Sequence, residues 1–360
     1  MRGHIRFLLV VSAVVLATSP AVSQTRGARL AVGLMTPHEG DVEGGVMAIV
    51  DLAAGKIVGR VPMAGDPRGM GASADGRLVY AIITGGEAGE VMLVFDARGP
   101  KEVRRIPLTG SRPQDELYFR ERIYFSAPGK KAIGRYNPER NQIEWISTGD
   151  HMVRLMTVNE KTDTIFATSQ STKTVVILEN VSAPPSAVKR TEVPLGHEGE
   201  DITLSPDGRE IWTANRDMSG VSIVDVASKK VVQTVQVPAK HANRLAFAPD
   251  GRHVFLLDRD AGDVIVLSAA ARKEVKRIRP DRPEPRDVTG NGDVLMAPDG
   301  SRAFVTVHIN RSDPSQPANQ PVPGARGKHY IAVIDLKTLE VTGRIPTDLP
   351  GDEMAWVDLK

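Results

Sequence analysis

Residues 197–215 read His-Glu-Gly-Glu-Asp-Ile-Thr-Leu-Ser-Pro-Asp-Gly-Arg-Glu-Ile-Trp-Thr-Ala-Asn, followed by Val221-Ser222-Ile223-Val224-Asp225 and by the run from Val231 to Val237. Four short runs of β-forming residues are separated by turn residues, and Asp207-Gly208 marks a hairpin. The unit recurs with a period in the low forties, the mark of a repeat architecture.

Working outward, its third run recurs as Met47–Asp51, Met92–Asp96, Ala132–Tyr136, Val175–Glu179, Val221–Asp225, Val264–Ser268 and Ile331–Asp335, seven copies in all. Six are preceded by a strand bearing Tyr80, Tyr124, Phe166, Trp212, Phe255 or Phe304; the first has Leu30-Ala31-Val32-Gly33 in that place. The first strand of the unit precedes only those six aromatic strands, and a seventh copy, Glu353–Val357, lies at the C-terminus. The simplest arrangement is a ring in which the last strand completes the first blade. Four-stranded blades about an axis make an all-β, seven-bladed β-propeller, and ring closure removes long unpaired edges. The turns Ala74-Asp75-Gly76, Pro206-Asp207-Gly208, Pro249-Asp250-Gly251 and Pro298-Asp299-Gly300 suit tight hairpins, so their aspartates are read as turn residues.

These turns, with Ile211–Asn215 and Val221–Asp225 after them, resemble the YVTN-type β-propeller repeat family over most of residues 30–358. Phe119–Arg122 and Asn159–Thr162 depart from the repeat. The resemblance implies the fold and an exported, surface-layer-like or periplasmic protein. It implies little about chemistry, because the family's relatives bind diverse ligands.

Residues 1–23 read as a secretory signal: Arg2 and Arg6, an apolar run from Phe7 to Ala17, then Ala21-Val22-Ser23. The run is short for a membrane span, and residues 24–360 are expected to form one exported domain, monomeric, periplasmic or secreted. The chain has no cysteine, which excludes disulfides, thiolate metal sites, c-type haem attachment and a lipidated cysteine. Without the two signal arginines, 44 of the 46 basic residues remain against 44 acidic ones, so nothing pulls the chain as a whole to nucleic acid. The basic patch Arg272-Lys273, Lys276-Arg277, Arg279, Arg282 alternates with Glu274 and reads as the solvated face of an outer strand.

Topology assigns the hairpin turns to one face. The loops between second and third strands and the connections between blades fall on the other, where function is expected. His38, His151, His197, His241 and His308 project there, with Glu39, Asn215-Arg216-Asp217 and Asp258-Arg259-Asp260. The first strands should line the channel with Arg154, Asp201, Arg244, Asp293 and Glu353, whose signs suit mutual pairing.

The ligand-binding candidates are therefore His151, Arg154, His197, Asp201, His241, Arg244, Asp293, His308 and Glu353. His197, His241 and His308 are candidate ligands for a divalent metal ion such as zinc, calcium or magnesium. No local metal-ligand spacing, nucleophile elbow or dinucleotide loop is present. The leading expectation is a non-catalytic binding or scaffold protein for a protein or small-molecule partner. Alternatives are a metal-dependent lactonase- or lyase-like enzyme, with His197, His241 and His308 as ligands or bases beside Asp201 or Glu353, and a redox protein with a haem-like or copper cofactor. A Pro-rich insertion at about 308–330 and a connector over Pro280–Gly292 are expected on the same face.

Overall fold

A computed structural model describes residues 28–35, 44–85, 89–280, 287–311 and 328–358. The strands, numbered β1 to β28 along the chain, form seven four-stranded antiparallel sheets. The fold is a seven-bladed β-propeller. Blade 1 is closed by the C-terminal strand β28 (Gly351–Asp358), which pairs with β1 (Ala28–Leu34); β2 (Val46–Asp51) and β3 (Lys56–Pro62) lie outside it. The other inner strands are β4 (Asp66–Ala72), β8 (Glu116–Phe119), β12 (Val153–Asn159), β16 (Gly199–Leu204), β20 (Ala242–Phe247) and β24 (Asp287–Met296).

The alternation of the sequence explains the layers. Second and third strands are buried on both sides, as in Leu78–Thr84 and Val91–Asp96, because neighbouring blades cover both faces. Outer strands such as β3 alternate exposed and partly covered residues. The apolar core is divided among the junctions between blades. Phe166, Val175 and Ile177 of blade 4, for example, pack on Ile211 and Val224 of blade 5. The repeated aromatics Tyr80, Tyr124, Phe166, Trp212, Phe255 and Phe304 are each at most 2% exposed and fill these junctions. Blade 1 has Ala31 in their register, opposite Ile49, while Trp356 packs against Phe304 of blade 7 at 6.1 Å between ring centroids.

The hairpin turns behave as their chemistry requires. Asp207 accepts the Ser205 hydroxyl at 2.6 Å and the Arg209 amide at 3.0 Å, while Gly208 adopts φ +75°. Asp75, Asp250 and Asp299 accept the amide two residues on in the same way. Four members of the basic patch of blade 6 are paired, while Arg282 lies outside the described residues. Arg272 meets Glu210, Lys276 meets Glu340, and Arg277 and Arg279 meet Asp263. One expectation needs correction: residues 287–292 are not connector but the first half of β24, which extends the inner strand of blade 7 towards the histidine-bearing face. His38, Glu39, the signal segment and most of the Pro-rich insertion lie outside the described residues.

Candidate ligand site at the channel mouth

The inner strands of blades 4 to 7 share a local irregularity. Pairing with the second strand gains an extra residue between Val153 and Met156, Gly199 and Ile202, Ala242 and Leu245, and Asn291 and Val294. A bulge of this kind turns successive side chains towards the same region. Two tiers result around the axis. The lower tier is Gly69, Asp115, Leu155, Asp201, Arg244, Asp293 and Glu353, one residue per blade; the residues just before them, Arg68 to Asp352, form the upper tier on the histidine-bearing face.

In the lower tier, three aspartates tie alternate blade junctions. Asp115 accepts the Glu116 amide at 2.8 Å and the Met156 amide of the next blade at 2.7 Å. Asp201 accepts Ile202 at 2.8 Å and Leu245 at 2.9 Å, and Asp293 accepts Val294 at 2.7 Å and Met354 at 2.9 Å. Enclosure by protein pushes Asp115 up to about 7 and Asp201 up to about 6, with Arg244 opposing in both cases. Asp293 and Glu353 are raised for the same reason. Burial works against the Arg244 charge, but Glu353, Asp201, Asp293 and Asp352 together overcome it and hold its proton more firmly. Arg244 donates directly to Glu353. Four carboxylates around one guanidinium are thus committed to each other and to the backbone.

The expected pairing of Arg154 with Asp201 is not what forms. The bulge places Arg154 in the upper tier, where its guanidinium donates to Gln170 Oε1 at 2.6 Å and lies 3.7 Å from Glu200. Gln170 donates in turn to Glu200, and Arg216 stands 3.8 Å from the same carboxylate. Burial is the largest influence on Arg154 and weakens its hold on the proton. Glu200 offsets part of this, while Arg216, Arg244 and Arg68 add to the depression. Beside this group opens a cavity of about 470 Å³, lined by Arg112, Gln114, Pro128, Met152, Arg154, Gln170, Ser171 and Glu198. Seven of the eight come from connections between blades or from loops between second and third strands, and Arg154 from the start of β12, so the cavity opens on the face that carries the histidines.

The histidines themselves do not converge. His151 is buried, bonded through Nδ1 to Thr172 at 2.7 Å and through Nε2 to Glu192 at 2.9 Å. His197 lies 3.5 Å from Asp217, and His241 lies 3.5 Å from Asp260 with its Nε2 buried and unpartnered. His308 bonds the Gly351 carbonyl at 2.6 Å and faces His329 edge-on at 6.2 Å between centroids. Among the described residues no three His, Cys, Asp or Glu side chains form a group able to hold a metal ion. His197, His241 and His308 therefore do not make a common ligand set here.

Of the sequence candidates, only Arg154 lines the cavity. Arg112, Gln114, Met152, Gln170 and Ser171 were not singled out, since irregular loops carry no periodicity to mark them. One signal existed. Gln170 follows its aromatic-bearing strand as Arg216 and Arg259 follow theirs, in the loop that the topology had assigned to this face.

No family model and no curated protein matches the chain. Solved structures are similar in fold. A "putative 6-phosphogluconolactonase" from Bacteroides uniformis ATCC 8492 shares 14% identity, with 92% of this chain and 99% of that one covered at a TM-score of 0.66. Its counterpart from Bacteroides fragilis NCTC 9343 shares 14% identity over 94% of this chain and 100% of that one, also at 0.66. The dihydro-heme d1 dehydrogenase NirN in complex with DHE shares 14% identity over 92% of this chain and 75% of that one, at 0.60. The chain is thus similar in architecture to propellers described as lactonase-like and haem-related.

Proposed function

We propose that this protein is an exported, non-catalytic propeller that binds a small molecule in the cavity between blades 3 and 4. The observation that carries the reading is the cavity itself. It has the volume of a small-molecule pocket, it opens on the loop-bearing face, and its polar groups, two arginines, two glutamines, Ser171 and Glu198, are suited to holding a ligand. Apart from Glu198, the groups suited to acid–base work lie outside the cavity lining: the lower-tier carboxylates hold backbone amides or Arg244, and the histidines have partners of their own around the rim.

The order of basic, apolar and small residues in 1–23 supports export to the periplasm or medium, and the Pro-Asp-Gly turns support membership of the YVTN-type repeat family. Mass spectrometry of the secreted or periplasmic protein should find a mature chain beginning at Gln24; an intact N-terminus there would remove the export reading. No helix among the described residues is long and apolar enough to cross a membrane.

The test of binding is a thermal-shift and calorimetric panel of neutral sugars, sugar lactones, organic acids and phosphorylated sugars on the mature chain. A ligand should raise the melting temperature and lose its effect in Ser171→Trp, where the indole fills the cavity. Consumption of a lactone with turnover would instead make the protein a hydrolase related in activity to the lactonase-like propellers. A panel in which no compound binds would remove the reading.

A further inference from the structure

We infer that the group held in the mouth cavity is an oxyanion, a carboxylate or a phosphate, seated between Arg112 and Arg154. The inference rests on the reading of the cavity as a ligand site and names its chemistry.

The first ground is Arg112. Its side chain lines the cavity, and among the described residues its guanidinium has no ion pair and no hydrogen bond. Its backbone is left-handed, with φ +50°, a conformation that costs a non-glycine residue energy and is kept where surrounding structure enforces it. Gly110 at φ +75° and Pro113 on either side define the turn, and the Arg112 carbonyl accepts the Gln114 side-chain amide at 3.4 Å. An exposed guanidinium with five donors and no partner among the described residues thus stands at the rim of the cavity. A carboxylate or phosphate matches that fork two bonds at a time.

The second ground is the charge imbalance behind it. Arg216, Arg244 and Arg68 all lie within electrostatic reach of Arg154. Arg68 has only the neutral Thr84 hydroxyl as side-chain partner, at 3.1 Å. Arg154 and Arg216 share Glu200, at 3.7 and 3.8 Å. Two guanidiniums therefore share one carboxylate, with Arg68 unneutralised by any acid among the described residues. Glu198, the acid lining the cavity, is itself 3.9 Å from Lys173. An oxyanion entering between Arg112 and Arg154 relieves the repulsion at Arg154 and gives the Arg112 guanidinium a partner.

Isothermal titration of the mature protein with inorganic phosphate, succinate and glucose tests this, with thermal melts of each variant confirming the fold. Phosphate or succinate should bind and glucose should not; the tighter of the two anions identifies the head group. Binding should weaken by about tenfold or more between 50 and 500 mM salt, as screening of a charge-driven contact requires. Arg112→Gln should lower affinity by about tenfold, and Arg112→Lys should restore part of it, since charge survives and the fork does not. Glucose bound in preference to both anions, or an affinity indifferent to salt and to Arg112→Gln, would overturn the oxyanion while leaving the cavity as a binding site. If no compound binds here or in the broader panel, the cavity is not a ligand site and the inference falls with it.

Discussion

Glu116 shows how much a single side chain can oppose a fold. It is 7% exposed in the gap between blades 2 and 3, and neither carboxyl oxygen reaches a hydrogen-bond donor with good geometry. Burial, moderated by the nearby Gly71 amide, raises it well above the usual carboxylate range. An acid raised in the folded state favours folding only while protonated, so its contribution is lost as pH rises past the ordinary carboxylate value. Glu116→Gln should therefore stabilise the protein by about 1–3 kcal/mol at pH 8 and by less at pH 5, measured by denaturant unfolding at both values. The rim histidines have little at stake. Their ion pairs are partly exposed, so His197→Ala with His241→Ala should move the melting temperature by less than about 2 °C in metal-free buffer. A large loss would show these imidazoles to be structural.

At the scale of elements, the turns and the bulges divide what was legible. The Pro-Asp-Gly turns could be read directly because the chemistry is contained within four residues. Gly208→Ala, at φ +75°, should cost about 1 kcal/mol for the same local reason. The bulges could not be read. They put Arg154 one tier away from Asp201 and Arg244, although sequence spacing suggested one alternating ring. Nothing local distinguishes an inner strand with an extra residue from one without. The aspartate clamps are likewise visible only in three dimensions, because each joins positions some 40 to 60 residues apart. Asp293→Asn leaves one carbonyl acceptor for two amides, Val294 and Met354, and should cost about 1–3 kcal/mol in chemical denaturation. A neutral result would show that water in the channel replaces the bond.

At the scale of the whole molecule, closure and channel charge govern stability. Ending the chain at residue 350 removes β28, leaving blade 1 with three strands and an open edge on β1. The truncated chain should lose its cooperative melt or associate through that edge, as circular dichroism and size-exclusion chromatography would show. Five enclosed acids, Asp115, Glu116, Asp201, Asp293 and Glu353, are raised. They outnumber the two enclosed histidines, His308 and His329, which are lowered and lose their contribution as pH falls below the usual imidazole range. Asp115 and Asp201, raised to about 7 and about 6, contribute stability that is full only below the ordinary carboxylate value and is lost by the time pH has risen through about 6 to 7. The turn aspartates Asp75, Asp207, Asp250 and Asp299 are lowered and lose their contribution only in stronger acid. The melting temperature should accordingly be higher near about pH 5 than at pH 8.

The sequence by itself determined the number of blades, their strand order, the hairpin face and the closure by the C-terminal strand. Each of these follows from patterns that repeat within about one unit of chain, where alternation, turn chemistry and copy number are all local. Only the tertiary structure decided which charged groups meet. Arg112, Gln114, Gln170 and Glu198 come from loops without periodicity and Arg154 from a bulged inner strand, and a pocket between them exists only once the blades are in place. The same closure separated the histidines: side chains in nearly the same register on successive blades are carried apart around the axis, each to a partner of its own.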